Sequence, residues 1–494
     1  MSSLYSHVSL ALLTDLYEVT MAYGYWKKQM AEDEAVFHLF FRKMPFQGGF
    51  AMAAGLHDVI EFVKRFRFEQ SDLDYLSTLQ GNDGSPLFEP PFLDYLANLE
   101  FTCDIDAIPE GDMVFAYEPL VRVQGPIIQC QLLESALLTL TNFSTLIATK
   151  GARVSLATEG DSILEFGLRR AQGIDGALTA SRAAFIGGCT ATSNVFAGKM
   201  LGIPVKGTHA HSWIMAFETE LESFQAYAEA MPENCVFLVD TYDTLQGVRN
   251  AIEVGKWLHE HGRPLLGIRL DSGDLNYLSI ESRKMLDEAG FPEAEIFASN
   301  ELNETLIADL KHQGAKIAVW GVGTNLVTGQ TQSALDGVYK LSAYRKKGAE
   351  KWQYKLKLSE QMTKVSNPGI LQIRRFENPQ GEYVADALYD IYSDLSQGCT
   401  IVDPFDQTRQ RVLPKEMKSR DVLAPIFRKG KQVYKDPSLV EIQAYGKEQL
   451  AKFDKSIKRF FNAHVYPVGM EKSLFEYKIK LVDKIRDRLA KSKK

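Results

Sequence analysis

The central part of the chain, from about residue 162 to residue 326, alternates between two hydrophobic patterns. Short apolar, β-leaning runs end in polar residues or glycine, and longer stretches with helical apolar spacing separate them. The predicted strands are residues 163–166, 184–187, 204–207, 236–240, 266–271, 295–299 and 316–321, and the clearest helical stretches are 244–261 and 280–290. Because hairpin signals are missing, this alternation predicts parallel strands joined by helical crossovers. Seven consecutive units favour a closed or nearly closed barrel, whose reactive groups lie on loops at the carboxyl ends of the strands.

The two flanking regions show a different, mixed pattern. The first, residues 1–130, predicts two strands, a helix and a turn-rich loop, at 35–42, 113–123, 56–66 and 80–86. The last, residues 346–494, predicts a β-meander and a helical tail, from runs at 352–358, 369–375, 383–388 and 471–494. The lysines of this tail are typical of a solvated helix face rather than a nucleic-acid patch. With the central region at 131–345, the chain has about three regions, as its 494 residues suggest.

Composition and charge restrict the class of protein. The hydrophobic fraction of 45% and the charged fraction of 24% are those of an ordinary soluble globular protein. The net charge of −7 gives no general attraction to nucleic acid or an anionic membrane, so an anionic substrate needs a local cationic or amide-lined site. The five cysteines form no Cys-x-x-Cys pair, which argues against disulfides or a thiolate zinc site. We expect a cytoplasmic protein, since we find neither a signal peptide nor an apolar stretch that is long enough to span a bilayer.

Two histidines lie two residues apart in the segment Gly207-Thr-His-Ala-His-Ser-Trp213, directly after an apolar run. In an extended strand such positions face the same side, so His209 and His211 are predicted to address one small volume. Two imidazoles there would suit a metal ion, phosphoryl transfer or proton transfer. The alternative is that they are surface or structural histidines, and the motifs further along the chain favour the functional interpretation.

The segment Arg269-Leu-Asp-Ser-Gly-Asp274 follows a strand that the pattern predicts to be buried. By strand alternation Arg269 and Asp271 share a face. A cation beside an acid at a strand end can hold an anionic substrate together with its Mg²⁺ ion, and Asp240 at another strand end could supply a second oxygen ligand. An ordinary ion pair that closes the barrel mouth is an equally good interpretation of this segment alone.

Glycine and hydroxyl residues at the later strand ends predict a phosphate site. Gly321 and Gly323 allow backbone amides to approach a phosphate closely, and Thr324 adds a hydroxyl donor. Ser299 and Asn300 lie one unit earlier and carry donors of their own. Taken alone, a Gly-x-Gly segment is often only a tight turn.

The segment Phe166-Gly-Leu-Arg-Arg170 combines an aromatic ring with two guanidinium groups. The ring could stack on a flat substrate while an arginine binds a carboxylate or a phosphate. The alternative interpretation is a core phenylalanine beside surface arginines. Near the start of the chain, residues 14–21 predict a capped helix that carries Tyr17, and nothing local gives Tyr17 a function.

Five motifs in this order resemble those of nicotinate phosphoribosyltransferases, the enzymes that make nicotinate mononucleotide in NAD salvage. The motifs begin at Leu13, Phe166, Gly207, Arg269 and Gly321, and the resemblance runs through the whole chain. It implies an α/β fold, with an irregular (β/α) barrel and a β-rich α+β domain in which the C-terminal segment packs on the N-terminal one. It also implies an ATP-coupled reaction of nicotinate with phosphoribosyl pyrophosphate, in a homodimer with shared active sites.

The resemblance also assigns roles to individual residues. It implies that His211 is the histidine that ATP phosphorylates, and that Thr208 lies near the nicotinate. It implies that Arg269 contacts the anionic region of the pyridine substrate, and that Thr324 contacts the ribose phosphate. A related nicotinamide-using enzyme has a glutamate before its histidine where this chain has Ala210. This difference leaves the Mg²⁺ ligand set open.

Further roles concern the pyridine ring and the metal ion. The resemblance implies that Phe166 and Tyr17 sandwich the ring, with Tyr17 supplied by the neighbouring subunit. Arg169 corresponds more loosely, through the nicotinamide-using relative, to a substrate-binding arginine. Asp240 and Asp271 correspond in the same loose way to ligands of Mg²⁺.

Two other functional classes stay open from the residues alone. A metal-dependent barrel hydrolase would use a His-x-His pair at a strand end, but it needs further metal-binding histidines on later strands. Here His259 and His261 lie in a helical stretch and His312 follows another, so that ligand set is incomplete. A non-enzymatic nucleotide-sensing protein is the second alternative, which an assay of mononucleotide synthesis would distinguish.

Overall fold

The structure is a computed structural model that describes residues 8–361 and 364–492. The chain divides into two compact units: residues up to 146 together with residues from 334 onward, and residues 147–333. The sequence-based boundaries lie elsewhere, at 130 inside helix Ile127–Leu132 and at 345 at the end of strand Gly337–Arg345. The central unit is therefore shorter at both ends than the region expected from the sequence.

The N-terminal part of the first unit mixes short strands with helices. Its strands are β1 (Glu34–Phe41), β2 (Ala51–Met52), β3 (Asp104–Ala107), β4 (Met113–Val114) and β5 (Val121–Pro126). Its helices are α1 (Leu16–Lys27), α2 (Leu56–Lys64), α3 (Gln70–Thr78), α4 (Pro90–Ala97), α5 (Ile127–Leu132) and α6 (Glu134–Ala157), and a 3₁₀ turn spans Pro45–Gln47. The strand and the helix expected near residues 35 and 56 are present, whereas the strand expected at 113–123 is divided into β4 and β5.

The second unit alternates strands with helices. The strands are β6 (Ser162–Glu165), β7 (Ala191–Thr192), β8 (Val236–Leu238), β9 (Gly267–Leu270), β10 (Glu295–Ala298) and β11 (Val319–Val322). The helices are α7 (Gly173–Ile186), α8 (Val195–Leu201), α9 (His211–Met215), α10 (Glu220–Ala230), α11 (Thr244–Glu260), α12 (Leu275–Glu288), α13 (Glu304–His312) and α14 (Thr324–Val327), and a 3₁₀ turn spans Leu168–Arg170. The strands form one parallel sheet in the order β7-β6-β11-β10-β9-β8.

A side chain, rather than a strand ladder, connects the two edges of this sheet. A parallel bridge joins Thr192 on β7 to Val205, so the segment after Val205 continues beyond one edge. That segment reaches the other edge at β8, where the amide of Leu238 donates a hydrogen bond to His209 Nε2 at 3.3 Å. This closure confirms the expected irregular α/β barrel.

Two of the strand predictions from the sequence pattern were wrong. Residues 184–187 end helix α7 and are buried there, and the strand follows later as β7. A short apolar run in a buried helix cannot be distinguished from a strand by periodicity. Here the helix packs so closely that a Cβ atom on Gly187 would lie 2.5 Å from the carbonyl oxygen of Ala148. The strand expected at 204–207 is reduced to the single bridge at Val205.

The C-terminal part of the first unit is mostly strand. The strands are β12 (Gly337–Arg345), β13 (Gln353–Tyr354), β14 (Leu371–Glu377), β15 (Tyr383–Asp390), β16 (Gly398–Val402), β17 (Gln410–Pro414), β18 (Lys418–Asp421), β19 (Ala424–Arg428), β20 (Lys431–Gln432) and β21 (Val468–Glu471). The helices are α15 (Leu439–Ala451) and α16 (Lys472–Ser492). Helix α16 is the tail helix expected from the sequence, whose last two positions lie outside the described residues.

Both ends of the chain contribute to the sheets of the first unit. A seven-stranded sheet has the order β13-β12-β1-β5-β3-β19-β20, so N-terminal strands are flanked by C-terminal ones on both sides. A six-stranded sheet, β17-β16-β21-β15-β14-β18, is built from the C-terminal part. This arrangement confirms the β-rich domain that was expected from both chain ends.

A fully buried arginine connects the two chain ends inside the first unit. Arg375 on β14 donates to both oxygens of Asp386, at 2.7 to 3.0 Å, and to Asp112 Oδ1 at 2.8 Å. Asp112 also accepts hydrogen bonds from Arg420 and Tyr445. Removing one partner from such a buried network costs about 3–5 kcal/mol, because a charge is left without its counterpart. The N-terminal and C-terminal segments therefore depend on each other for the burial of these charges.

One helical stretch, residues 127–157, has the length and the mean hydropathy, 1.2, of a membrane span. The expectation that no stretch is long and apolar enough to span a bilayer was therefore wrong. The core helix of a soluble protein meets the same criteria, and 61% of this stretch's most apolar window is buried inside the protein. The finding is thus weak evidence for a membrane span.

His209, the buried histidine that connects the two edges of the parallel sheet, makes the free energy of unfolding dependent on pH. His209 is 7% exposed, and burial lowers its pKa from 6.5 to about 4. The unfolded chain therefore binds the proton more tightly, so stability is lost as the pH falls from 6.5 toward 4. We expect His209 to account for a loss of about 2 kcal/mol at pH 5 relative to pH 8. The variant His209→Gln keeps an acceptor without titrating, so the free energy of unfolding in urea should change less between these pH values.

The matched control is His259→Gln on the exposed face of α11, which should retain the pH dependence of the original chain. Burial also lowers the pKa of His38, to about 3. His38 therefore adds the same pH dependence to the free energy of unfolding in every variant. An unchanged pH dependence in His209→Gln would contradict the assignment.

Candidate active site

The guanidinium of Arg269 on β9 connects three separate segments of the second unit. Its Nε donates to Ser299 Oγ at 3.0 Å and its Nη1 to Thr208 Oγ1 at 2.7 Å, and Nη2 lies 3.4 Å from Asp271 Oδ1. Ser299 Oγ also donates to Asp271 Oδ1. Because the Arg269 side chain is only 15% exposed, these contacts hold it in one orientation. The shared face predicted for Arg269 and Asp271 is confirmed.

The ring of Phe166 forms an apolar surface beside this guanidinium. The guanidinium carbon of Arg269 lies 5.8 Å from the ring centroid. On β11 a Cβ atom at Gly321 would lie 2.7 Å from the ring atom Cδ2, so a larger residue there would displace the ring. The amide of Phe166 donates to the carbonyl of Val322 at 2.9 Å. Phe166 is therefore neither a fully buried core residue nor free to move.

A buried carboxylate supports the turn that carries Phe166. Glu165 is 1% exposed and accepts hydrogen bonds from the amide of Gly167, from Ser181 Oγ at 2.8 Å and from Thr192 Oγ1 at 2.6 Å. The sequence pattern did not indicate that these residues belong to the site. Glu165 could have been found as an acidic residue at the end of an apolar run, because a buried carboxylate there requires hydrogen-bond partners.

His211 and His209 do not share a volume, so that prediction was wrong. His209 packs among aromatic rings, with its ring centroid 4.9 Å from that of Tyr227. His211 begins helix α9 and ends the extended segment, so the two-residue alternation no longer applies. Its Nδ1 lies 3.0 Å from Thr241 Oγ1 and its Nε2 lies 3.7 Å from Asp271 Oδ2. His211 is therefore placed next to Asp271 at the carboxyl ends of the strands, and its side chain is 40% exposed.

Acidic side chains gather beside His211. Asp240 Oδ2 accepts from the amide of Asp271 at 2.9 Å and from Ser272 Oγ at 2.5 Å. The other oxygen, Oδ1, is buried without a hydrogen-bond partner among the described residues. Burial raises the pKa of nearby Glu220, the hydrogen bond from Asn250 opposes this shift, and Asp240 adds to it. Thr241, Ser272 and Glu220 were not identified from the sequence, since single hydroxyl and acidic residues after a strand carry no pattern.

Asp240 and Asp271 fit the requirements of a Mg²⁺ ion. Mg²⁺ is commonly held by one or two carboxylates together with waters and substrate phosphates, rather than by an all-protein cage. The unsatisfied buried oxygen of Asp240 is an observation that such an ion would explain. In the part of the chain that the structure describes, no group of three or more His, Cys, Asp or Glu side chains could hold a metal ion, so the ligand set that a zinc hydrolase needs is missing there.

The glycine segment after β11 lies against the turn that carries Phe166. Gly323 precedes helix α14, and a Cβ atom on it would lie 3.2 Å from the carbonyl oxygen of Phe166. The next residue but one, Asn325, donates to the carbonyls of Glu301 and Leu302 at 2.7 and 3.0 Å. These bonds bring the loop after β10 to the loop after β11.

The other residues expected in this loop pair occupy its turns. Thr324 is the first residue of helix α14. Asn300 adopts a left-handed backbone conformation with φ of 89°, as does the next residue, Glu301, with φ of 38°. Ser299 is buried, with its hydroxyl on Arg269 and Asp271. Gly321, Gly323, Thr324, Ser299 and Asn300 therefore lie at the ends of two neighbouring strands.

The remaining two expected site residues lie on other elements. Arg169 lies on the 3₁₀ turn Leu168–Arg170 and is exposed to solvent. Tyr17 lies on α1 in the first unit, where burial raises the pKa of its phenol and the carboxylates of Glu134 and Glu18 raise it further.

Comparisons with known proteins agree with the motifs. Family models of nicotinate phosphoribosyltransferase match as an N-terminal domain at residues 12–142, a central family region at 162–364 and a C-terminal domain at 371–478. Nicotinate phosphoribosyltransferase of Bacillus subtilis is 42% identical over 97% of this chain and 97% of its own length. The Dictyostelium discoideum enzyme of the same name is 39% identical over 94% of this chain and 87% of its own length.

Solved structures agree as well. The human nicotinic acid phosphoribosyltransferase is 31% identical and superimposes with a TM-score of 0.82, over 95% of this chain and 99% of that one. A nicotinate-nucleotide pyrophosphorylase from Pyrococcus furiosus, at 21% identity and a TM-score of 0.68 over 92% and 99% of the two chains, shares the fold. The matched family models and these relatives, together with the site geometry, show that the chain belongs to the nicotinate phosphoribosyltransferase family.

Proposed function

We propose that the protein forms nicotinate mononucleotide and pyrophosphate from nicotinate and phosphoribosyl pyrophosphate, and that it couples this reaction to ATP hydrolysis through a phosphohistidine at His211. The pathway served would be NAD salvage. The observation that carries the proposal is the arrangement around Arg269, which joins an aromatic surface at Phe166 to an acid, Asp271, that lies next to His211.

The chemistry of this transfer places modest demands on acid–base groups. The pyridine nitrogen of nicotinate carries a free lone pair, so it needs no general base. The barrier lies in breaking the bond between ribose and pyrophosphate, where positive charge develops on the sugar and negative charge on the leaving group. Positioning and electrostatic stabilisation should therefore supply most of the rate acceleration.

Arg269 is the residue that we propose to bind the nicotinate carboxylate. A guanidinium has five N–H donors, and the contacts with Ser299, Thr208 and Asp271 use about three of them. The remaining donors and the full positive charge suit a planar carboxylate, while the Phe166 ring offers a stacking surface for the pyridine. A neutral carboxamide would gain less from the same charge, which gives a reason for preferring nicotinate over nicotinamide.

The sugar pyrophosphate is proposed to lie at the two neighbouring loops. Backbone amides near Gly323 and Thr324 can approach its phosphates closely, with donors from Ser299 and Asn300 alongside. Arg169, exposed on its turn, supplies a further guanidinium for a substrate anion. A Mg²⁺ ion held by Asp240 and Asp271 would neutralise the charge that builds on the pyrophosphate.

His211 is proposed to take the γ-phosphoryl group of ATP. An imidazole nitrogen forms the bond to phosphorus as the bond to ADP breaks. The new group adds negative charge and three acceptor oxygens beside Asp271. Repulsion between this charge and the acids alters how the site holds a magnesium pyrophosphate. Hydrolysis of the phosphohistidine then favours product release and shifts the equilibrium toward the mononucleotide.

Replacing Arg269 by lysine should distinguish the contribution of the positive charge to substrate binding from that of the guanidinium's donor geometry. A lysine keeps the cation but presents its donors from one nitrogen, so it cannot contact Thr208, Ser299 and a carboxylate together. We expect kcat/KM for nicotinate to fall about 100-fold or more. The measurement is steady-state mononucleotide synthesis, with nicotinamide as the comparison substrate. Arg249→Lys on the exposed face of α11 is the control, and unchanged kinetics of Arg269→Lys would refute this assignment.

Replacing His211 by alanine should remove the effect of ATP while slow, uncoupled synthesis continues. The physical reason is that the sugar pyrophosphate site keeps its other contacts, whereas the phosphoryl acceptor is gone. The ratio of ATP hydrolysed to mononucleotide formed is the measurement, and His259→Ala serves as the control. Intact coupling in His211→Ala would show that another group accepts the phosphoryl.

A homodimer with shared sites is proposed through Tyr17, whose side chain is 46% exposed. Tyr17 of a second copy would cover the face of the pyridine opposite Phe166. Coexpression of Tyr17→Ala and His211→Ala chains should then restore coupled synthesis to about a quarter of the original activity. The reason is that half of the dimers are mixed and each of these has one intact site. Each variant expressed alone is the control, and no recovery in isolated mixed dimers would exclude a shared site.

A further inference from the structure

A cavity of about 900 Å³ lies wholly within residues of the first unit. Residues 44–49, 115–117, 401–411 and 459–469 contribute most of its wall. The volume is in the range of cavities that bind small molecules and cofactors. None of the residues assigned above to nicotinate, phosphoribosyl pyrophosphate or ATP lines it, so the proposed function does not account for it.

The charged side chains of this cavity are mostly basic. Three arginines, Arg409, Arg411 and Arg459, line it, and Asp403 is the one acid among the described lining residues. The Oδ1 oxygen of Asp403 accepts from the amides of residues 405 and 406 at 2.8 and 3.2 Å, so part of its hydrogen-bonding capacity is used within its own loop. The chemistry of the wall therefore favours an anion.

The arginines retain donors for such an anion. Arg459 makes no hydrogen bond or ion pair with any described residue. Arg411 donates one N–H to the carbonyl of Val384 at 2.7 Å, and Arg409 lies 3.2 Å from Asp406 on its own loop. Since each guanidinium has five donors, most of them stay available, and their fork geometry matches a phosphate.

Two aromatic rings stand beside these cations. The ring centroids of Tyr117 and Phe405 are 4.8 Å apart, and Phe405 is 46% exposed. Tyr117 has a φ of 69°, a conformation that a bulky residue adopts only when its surroundings impose it. Here its amide is held by the carbonyl of Phe41 at 2.8 Å. The Tyr117 ring is tilted by 56° against Phe405 and supports it, so a flat ligand could stack on the exposed ring of Phe405.

We propose that this cavity is an accessory binding site for a nucleoside monophosphate. The base stacks on the exposed ring of Phe405, which Tyr117 supports, and the phosphate is held by Arg459 and Arg409. A bare polyanion would leave the aromatic surface unused, and a purely apolar ligand would leave the arginines without a partner. The proposal stands independently of the reaction assigned to the second unit.

The test uses the full chain and AMP as the probe, with calorimetric titration as the measurement. The background variant is Arg269→Ala, which removes the central cation of the candidate active site, and the Arg459 and Arg409 variants then identify the AMP that binds in the cavity. In this background we expect AMP to bind. The added substitution Arg459→Ala should lower the affinity for AMP about tenfold, and Arg409→Gln should lower it too. Arg488→Ala, an exposed arginine on α16 that does not line the cavity, is the matched control and should leave the affinity unchanged.

The contribution of the base is measured separately. Phe405→Ala should weaken AMP roughly fivefold or more and leave ribose 5-phosphate unaffected, because only AMP stacks. Arg409 is 73% exposed, so Arg409→Gln tests the cation without disturbing packing, and unchanged thermal unfolding checks this. The absence of AMP binding in the Arg269→Ala background, or equal affinity of Arg459→Ala and its parent, would overturn the proposal. Unchanged AMP affinity in Phe405→Ala would overturn the nucleotide assignment in favour of a simple anion site.

Discussion

The contacts of a single guanidinium, that of Arg269, hold the candidate active site together. It is joined to the loop after β10 through Ser299, to the segment before His211 through Thr208, and to the acid that ends its own strand through Asp271. Because a guanidinium is planar and holds its donors in a fixed fork, three partners placed around it are fixed relative to one another. The aromatic surface of Phe166 and the acid beside the histidine, Asp271, thereby lie next to the same cation.

The accumulation of acids beside this cation is the second constraint. Asp240 lies close to both Asp271 and Glu220, and one oxygen of Asp240 and one of Glu220 have no hydrogen-bond partner among the described residues. Negative charge of this kind would be costly at the proposed phosphate-binding site, unless a further cation were shared between the acids and the substrate. If ATP phosphorylates His211, as we propose, the added phosphoryl group would change the charge balance beside Asp271 in which a sugar pyrophosphate would be held.

Sequence patterns predicted the elements where the local rule and the tertiary environment agree. Strands β8, β9, β10 and β11 were anticipated because each is a short apolar run followed by polar residues. Residues 184–187 were misread because the interior of a buried helix is apolar on all sides, as is a buried parallel strand. The alternation that placed Arg269 and Asp271 together holds across the end of β9, whereas the one that paired His209 with His211 fails where helix α9 begins.

The sequence by itself determined the family, the alternating barrel pattern, and the residue types at the strand ends, since these depend on local order along the chain. Only the tertiary structure decided that Glu165 supports the Phe166 turn, that Thr241 and Ser272 accompany His211 and Asp240, and that Arg375 joins the two chain ends. Such partners lie up to 263 residues apart, and no spacing rule relates them. Hydrogen bonds between distant segments form only once the packing of the strands has brought their ends to the same edge.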